Sequence, residues 1–221
     1  MIINDATSNG VSQTKESRGF TLLELLIVIA IIAILSVILV LVLNPAETLR
    51  KSRDAQRISD LSTVKTALSL YLTATGTPYL GSNSSNASCT NGTTGTLYVD
   101  VTGVSGAFPA GFNAWSGTTT AGVNGTGWIP VNLAALSGGS PLSNFPLDPS
   151  NTAANLAALT NSDLIYRYAC KQSPLTFELD ATLESDAYKT DDPKMIKDGG
   201  NNPNLYEVGT DLAILPNSNN Y

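Results

Sequence analysis

Hydrophobic and polar positions divide the chain into four unlike stretches. Residues 1–19 are polar. Residues 20–43 are apolar almost without interruption, and Glu24 is their one ionisable side chain. As a helix, these two dozen residues would extend roughly 36 Å, more than a bilayer core of about 30 Å requires. Asn44-Pro45 interrupts the run, because proline removes a backbone donor and crowds the preceding turn; a kink or short unwinding is expected between Leu43 and Ala46. Over residues 44–76 a helical pattern resumes. Leu49, Ile58, Leu61, Val64, Leu68 and Tyr71 mostly share one face, while Arg50, Arg53, Asp54, Arg57, Asp60 and Lys65 fall largely elsewhere. Gly76 and Pro78 end the pattern, so the two segments together predict a long helix of about 55 residues.

Residues 77–221 read differently. A low-complexity polar loop, Gly81 to Ser88, is followed by short strand-like runs at Thr96–Val101, Trp128–Val131, Leu164–Ala169 and Leu175–Leu179. The last two alternate and flank Cys170-Lys171-Gln172-Ser173-Pro174, which predicts an antiparallel hairpin. Ala134–Leu136 and Ala153–Leu159 are candidate helical turns. The sum is an α+β fold, with a small antiparallel sheet packed on the second half of the long helix.

Charge and composition narrow the chemistry. The net charge is −6 and Lys and Arg total twelve, so nucleic acid is not expected as the main partner. The cluster Arg50, Lys51, Arg53 and Arg57 is interleaved with Asp54 and Asp60, which reads as a solvated or subunit-contacting face. The chain has no histidine, which removes Ser-His-Asp and Cys-His catalysis and the usual zinc sites. Asp148, Asp163 and Glu178 are possible acids without a recognisable partner. Cys89 and Cys170 form no CxxC; in an exported domain they could form one disulfide, closing a loop of about 80 residues.

Glu24 is the anomaly. A carboxylate near the start of a spanning helix is costly and is usually kept for a partner. A secretory signal would have a shorter apolar core with a small-residue cleavage site beyond it, and a plain signal anchor leaves Glu24 unexplained. The segment Gly19-Phe20-Thr21-Leu22-Leu23-Glu24-Leu25-Leu26-Ile27-Val28-Ile29-Ala30 resembles the processing site of type IV prepilins, the precursors of type IV pilins and of type II secretion pseudopilins. The resemblance implies cleavage between Gly19 and Phe20 by a prepilin peptidase, N-methylation of Phe20, and Glu24 as the fifth residue of the mature chain. The carboxylate would then neutralise the Phe20 amine of a neighbouring subunit during assembly.

On that resemblance the chain is expected to comprise a leader (1–19), a membrane and filament-core helix (20–43), an amphipathic stalk (44–76) and an exported pilin-like head (77–221). It would sit in the cytoplasmic membrane with its head outside, then enter an extracellular or envelope filament. Its partners would be further copies of itself, the peptidase, the lipid bilayer and the membrane platform of the assembly machinery. A pilus subunit, not an enzyme, is the first reading. A pseudopilin of secretion or DNA uptake is the alternative, favoured by Pro146-Leu147-Asp148-Pro149, which resembles the Pro-x-Asp-Pro turn of major pseudopilins. No cofactor is required, but those pseudopilins carry calcium in an Asp-Gly-Gly-containing loop. The loop holding Asp191, Asp192, Asp198, Gly199, Gly200 and Asp211 is a partial match, giving a candidate Ca2+ site, with a solvated surface loop as its alternative. A membrane-anchored binding protein using Tyr98, Trp115 and Trp128 is the rival from another class.

Overall fold

The structure, a computed structural model, describes residues 19–217. The chain divides into two units, Met1–Pro45 and Ala46–Tyr221. The leader expected over residues 1–19 lies outside the described residues except for Gly19.

The first unit is built on α1 (Leu22–Leu43). Apart from Glu24 and Ser36 its residues are apolar, and the described side chains are exposed; the helical stretch starting at Leu22 is, among the described residues, the one long and apolar enough to cross a membrane. At 22 residues α1 alone is about 33 Å long. Ser36 does not break the apolar character, because its hydroxyl donates to the Ile32 carbonyl one turn back (2.7 Å). The expected interruption is confined to one residue. Asn44 adopts a left-handed conformation (φ 38°, ψ 73°), and Pro45 opens α2 (Pro45–Ala74). Proline disfavours right-handed helix at the residue before it and is itself suited to a first helical position, while asparagine tolerates the left-handed region.

In the second unit α2 packs on a five-stranded sheet: β1 (Thr96–Val99), β2 (Ala114–Gly117), β3 (Tyr166–Lys171), β4 (Thr176–Ala181) and β5 (Tyr206–Gly209), in the order β2-β1-β3-β4-β5. The architecture is α+β, as the pattern predicts, but the sheet is mixed. β1 and β2 run parallel and the other pairings are antiparallel. The predicted hairpin is β3–β4, in the register Tyr166↔Ala181 to Lys171↔Thr176. Trp128–Val131 is not a strand. Trp128, Ile129 and Val131 are buried as irregular chain, Pro130 cannot donate to a ladder, and the Trp128 indole N–H bonds the Pro146 carbonyl (2.8 Å). Ala153–Leu159 forms turns without a helix, and Leu133–Ala135 is a single 3-10 turn.

Strand alternation puts a core on each face of the sheet. Tyr98, Tyr166, Tyr168, Phe177, Leu179 and Val208 meet Leu61, Val64, Ala67, Leu68 and Tyr71 of α2. Leu97, Val99, Ile165 and Ala169 face the other way, against Phe112, Leu159, Leu205, Ile214 and Leu215. The buried tyrosines keep their hydroxyls bonded: Tyr98 and Tyr168 donate to the Gly81 and Leu80 carbonyls (2.7 and 2.9 Å), pinning that loop over the helix-side core. Cys89 and Cys170 pair as a disulfide, tying the chain before β1 to β3. Leu49, assigned by periodicity to the apolar stripe, is 61% exposed, and Ile58 is half-buried.

Candidate functional site

The N-terminal segment is the first site. Thr21 caps α1 in a reciprocal box: the Glu24 N–H donates to Thr21 Oγ1 (3.2 Å), and Glu24 Oε2 accepts from both the backbone N–H and the hydroxyl of Thr21 (3.0 and 2.9 Å). Two N–H groups at the exposed helix start are thereby satisfied. The spacing Thr21-Leu22-Leu23-Glu24 is a capping-box signature, so the capping role of Glu24 was readable from the sequence. Phe20 stands 86% exposed. A side chain at Gly19 would meet nothing within 4 Å, so the fold itself sets no requirement for glycine there.

The second assembly of polar groups lies on α2. Asp54 and Arg57, read from periodicity as part of a solvated face, are fully buried. They extend the stripe Leu61, Val64, Leu68, Tyr71 toward the N-terminus at spacings of three and four, and so pack on the same side. All five Arg57 N–H groups find acceptors: Nε and Nη2 grip the two oxygens of Asp148 (2.7 and 2.9 Å), Nη1 bonds Asp54 and Glu184 (2.8 Å each), and Nη2 also reaches Ser150 (3.1 Å). Asp54 in turn accepts from the backbone of Glu184 and Ser185 and from the Ser185 hydroxyl. The turn Pro146–Pro149 is held from behind as well, the Asp148 N–H donating to Asp100 (2.7 Å), whose carboxyl burial pushes up to about 7. Burial disfavours a charged Arg57, but its bonds to Asp148, Glu184 and Asp54 outweigh that and raise its pKa. Arg53, with Arg57 behind it, holds Glu184 down at about 2. This junction fastens α2 to two loops of the head; nothing in it points to catalysis.

The aspartates expected to bind calcium do not converge. Asp191 is exposed, Asp192 pairs with Lys194 and Lys197, and Asp211 pairs with Lys171 (3.2 Å). Asp198 accepts from the Gly200 and Glu207 N–H groups (2.9 and 2.8 Å). Three lysines are thus spent on neutralising two of the side chains that the sequence offered as ligands. Among the described residues, the acidic side chains that do converge are Glu178, Asp180 and Glu207, all buried. Burial pushes all three pKa values up, and neighbouring carboxylates add to it for Glu178 (Asp180) and Asp180 (Glu207). Of the other possible acids, Asp148 belongs to the Arg57 junction, and Asp163 accepts from the Ala154 and Thr160 N–H groups in a turn. The aromatic trio does not form a binding surface. Trp128 and Tyr98 are core residues, while Trp115 lies against Phe108 and donates to the Ala107 carbonyl.

Residues 14–40 match the prokaryotic N-terminal methylation motif. That motif is the hallmark of type IV pilin and pseudopilin precursors. With an apolar membrane-anchoring helix followed in sequence by an α+β head, the chain is prepilin-like at its start and pilin-like in architecture. No curated protein and no solved structure matches the chain.

Proposed function

We propose that this chain is a structural subunit of a type IV pilus-like filament, released from its leader by cleavage between Gly19 and Phe20 and methylated on the new Phe20 amine. The observation that carries the reading is the methylation motif set at the capped start of a helix apolar on all sides. Such a helix has no stable place in water: it belongs in lipid or among other helices of its kind. Cleavage creates a cation at Phe20. Thr21 draws on Oε2 of Glu24, so Oε1 is the oxygen a neighbouring subunit's amine would approach. In a low-dielectric filament core that attraction is strong, and it fixes the axial register of an incoming subunit. Methylation leaves the amine protonated.

The head would be exported, with its disulfide formed in an oxidising compartment. A pseudopilin of a secretion or DNA-uptake system is the second reading. It is favoured by the Pro146–Pro149 turn, whose aspartate Arg57 grips with two bonds. Intact-mass and N-terminal analysis of the chain from its native membrane tests the common core of both readings. The wild-type chain is expected to begin with methylated Phe20, and Gly19→Val to retain the residues before it and to be absent from filaments. A native chain that keeps its leader sinks both.

A further inference from the structure

The strongest unexplained feature of the head is its trio of buried carboxylates, from which we infer that Glu178, Asp180 and Glu207 form a calcium-binding site on the sheet face turned away from α2. Phe177, Leu179 and Ala181 of β4 enter the helix-side core, as does Val208 of β5, so Glu178, Asp180 and Glu207 must point to the other face. The register sets Asp180 directly opposite Glu207, an arrangement in which like charges repel. None of the three is more than 1% exposed, and their oxygens gather within 4.8 Å of one another.

The hydrogen bonds account for only two of these six oxygens. Glu178 Oε2 accepts from the Ile214 and Leu215 N–H groups (2.7 and 2.8 Å), and Glu207 Oε2 accepts from Asn202 (3.0 Å). Among the described residues, Glu178 Oε1, both oxygens of Asp180 and Glu207 Oε1 are buried without a donor. Arg167 stands opposite Asp180 on β3 and, among the described residues, supplies one positive charge against three carboxylates. Buried charge left uncompensated to this extent is strongly unfavourable. A hard divalent cation supplies what is missing. The donors are all oxygen, Asp180 offers two, and the enclosure leaves little room for the waters that magnesium retains, so calcium is the fitting ion.

The surrounding chain is shaped to close on the site. A Cβ at Gly200 would collide with the Glu207 carboxylate, so only glycine lets that loop approach. Asp198, at the edge of the cluster, bonds the Glu207 N–H. The ligands thus draw together β4, β5 and the segments around residues 198–202 and 214–215, and metal binding would be coupled to the folding of this corner. Of the aspartates picked out by the sequence, only Asp198 borders it. The inference does not depend on the filament reading.

The test uses the full chain in detergent micelles, stripped with EGTA and titrated with calcium chloride by calorimetry and by thermal melting. One calcium per chain is expected, with a melting temperature about 5–10 °C higher at roughly a hundredfold excess over Kd. Asp180→Asn and Glu207→Gln should each abolish the shift while melting no lower than the EGTA-treated wild type, since each removes a repelling charge. Asp192→Asn, at the surface, should keep the shift. Two outcomes overturn the site: equal melting in calcium and EGTA with no titration heat, which means the carboxylates share protons instead, or a calcium shift that survives both cluster variants. If Asp180→Asn does not fold, Glu207→Gln decides alone.

Discussion

Arg57 shows how a single side chain can be misread from its neighbours. In sequence it sits among charges and looks solvated, yet it is 0% exposed with five hydrogen bonds. Arg57→Ala would leave Asp54 and Asp148 buried without their counter-charge, and the head should lose about 3–5 kcal/mol, measured by denaturant unfolding. Arg57→Lys should recover only part of this, because an ammonium cannot match the two oxygens of Asp148 in one plane. Glu184 carries a pH prediction of definite sign. Its folded pKa, about 2, lies below the 4.5 of the free side chain. Its contribution is therefore complete above pH 4.5 and is lost as pH falls toward 2. Melting temperatures across that range should drop less steeply for Glu184→Gln than for wild type; parallel profiles would refute the assignment.

At the scale of elements, the segments with a single dominant period were legible. α1 is a continuous apolar run, and the β3–β4 hairpin alternates cleanly, so local pattern and final structure agree. β2 and β5 are four residues each and carry too little pattern to be seen; their existence depends on a partner strand waiting beside them. The parallel pairing of β1 with β2 was equally out of reach, since it is set by where the intervening loop crosses. Trp128–Val131 failed for the opposite reason: its apolar residues fill the core without needing a ladder. The disulfide ties the loop before β1 to β3 over a separation of 81 residues. Replacing both cysteines by alanine should cost about 4 kcal/mol, chiefly by freeing the unfolded chain, and should make melting insensitive to reductant. A wild-type head that melts alike with and without reductant would contradict this.

For the whole molecule, the division of labour between the two units follows from burial. The described helix of the first unit exposes its apolar side chains; the second closes its own core on both faces of a sheet. Blocking cleavage at Gly19 is thus expected to stop assembly while leaving the head folded, and disrupting the Arg57 junction should do the reverse. The buried carboxylates belong to this scale too. They come from two strands and are enclosed by a loop and the C-terminal segment, so they exist as a cluster only in the closed head.

By itself the sequence determined the N-terminal segment. An apolar helix, its lone glutamate, its cap and its methylation motif are all properties of neighbouring residues, and local spacing is enough to read them. The α+β class followed for the same reason. Tertiary structure alone decided which polar residues are buried. Arg57 and Asp180 look like surface charges until distant loops cover them, and the aspartates of the acidic loop look like ligands until lysines reach two of them. Burial is a relation between segments far apart in the chain, and it sets both the cost of a charge and the partner that must answer it.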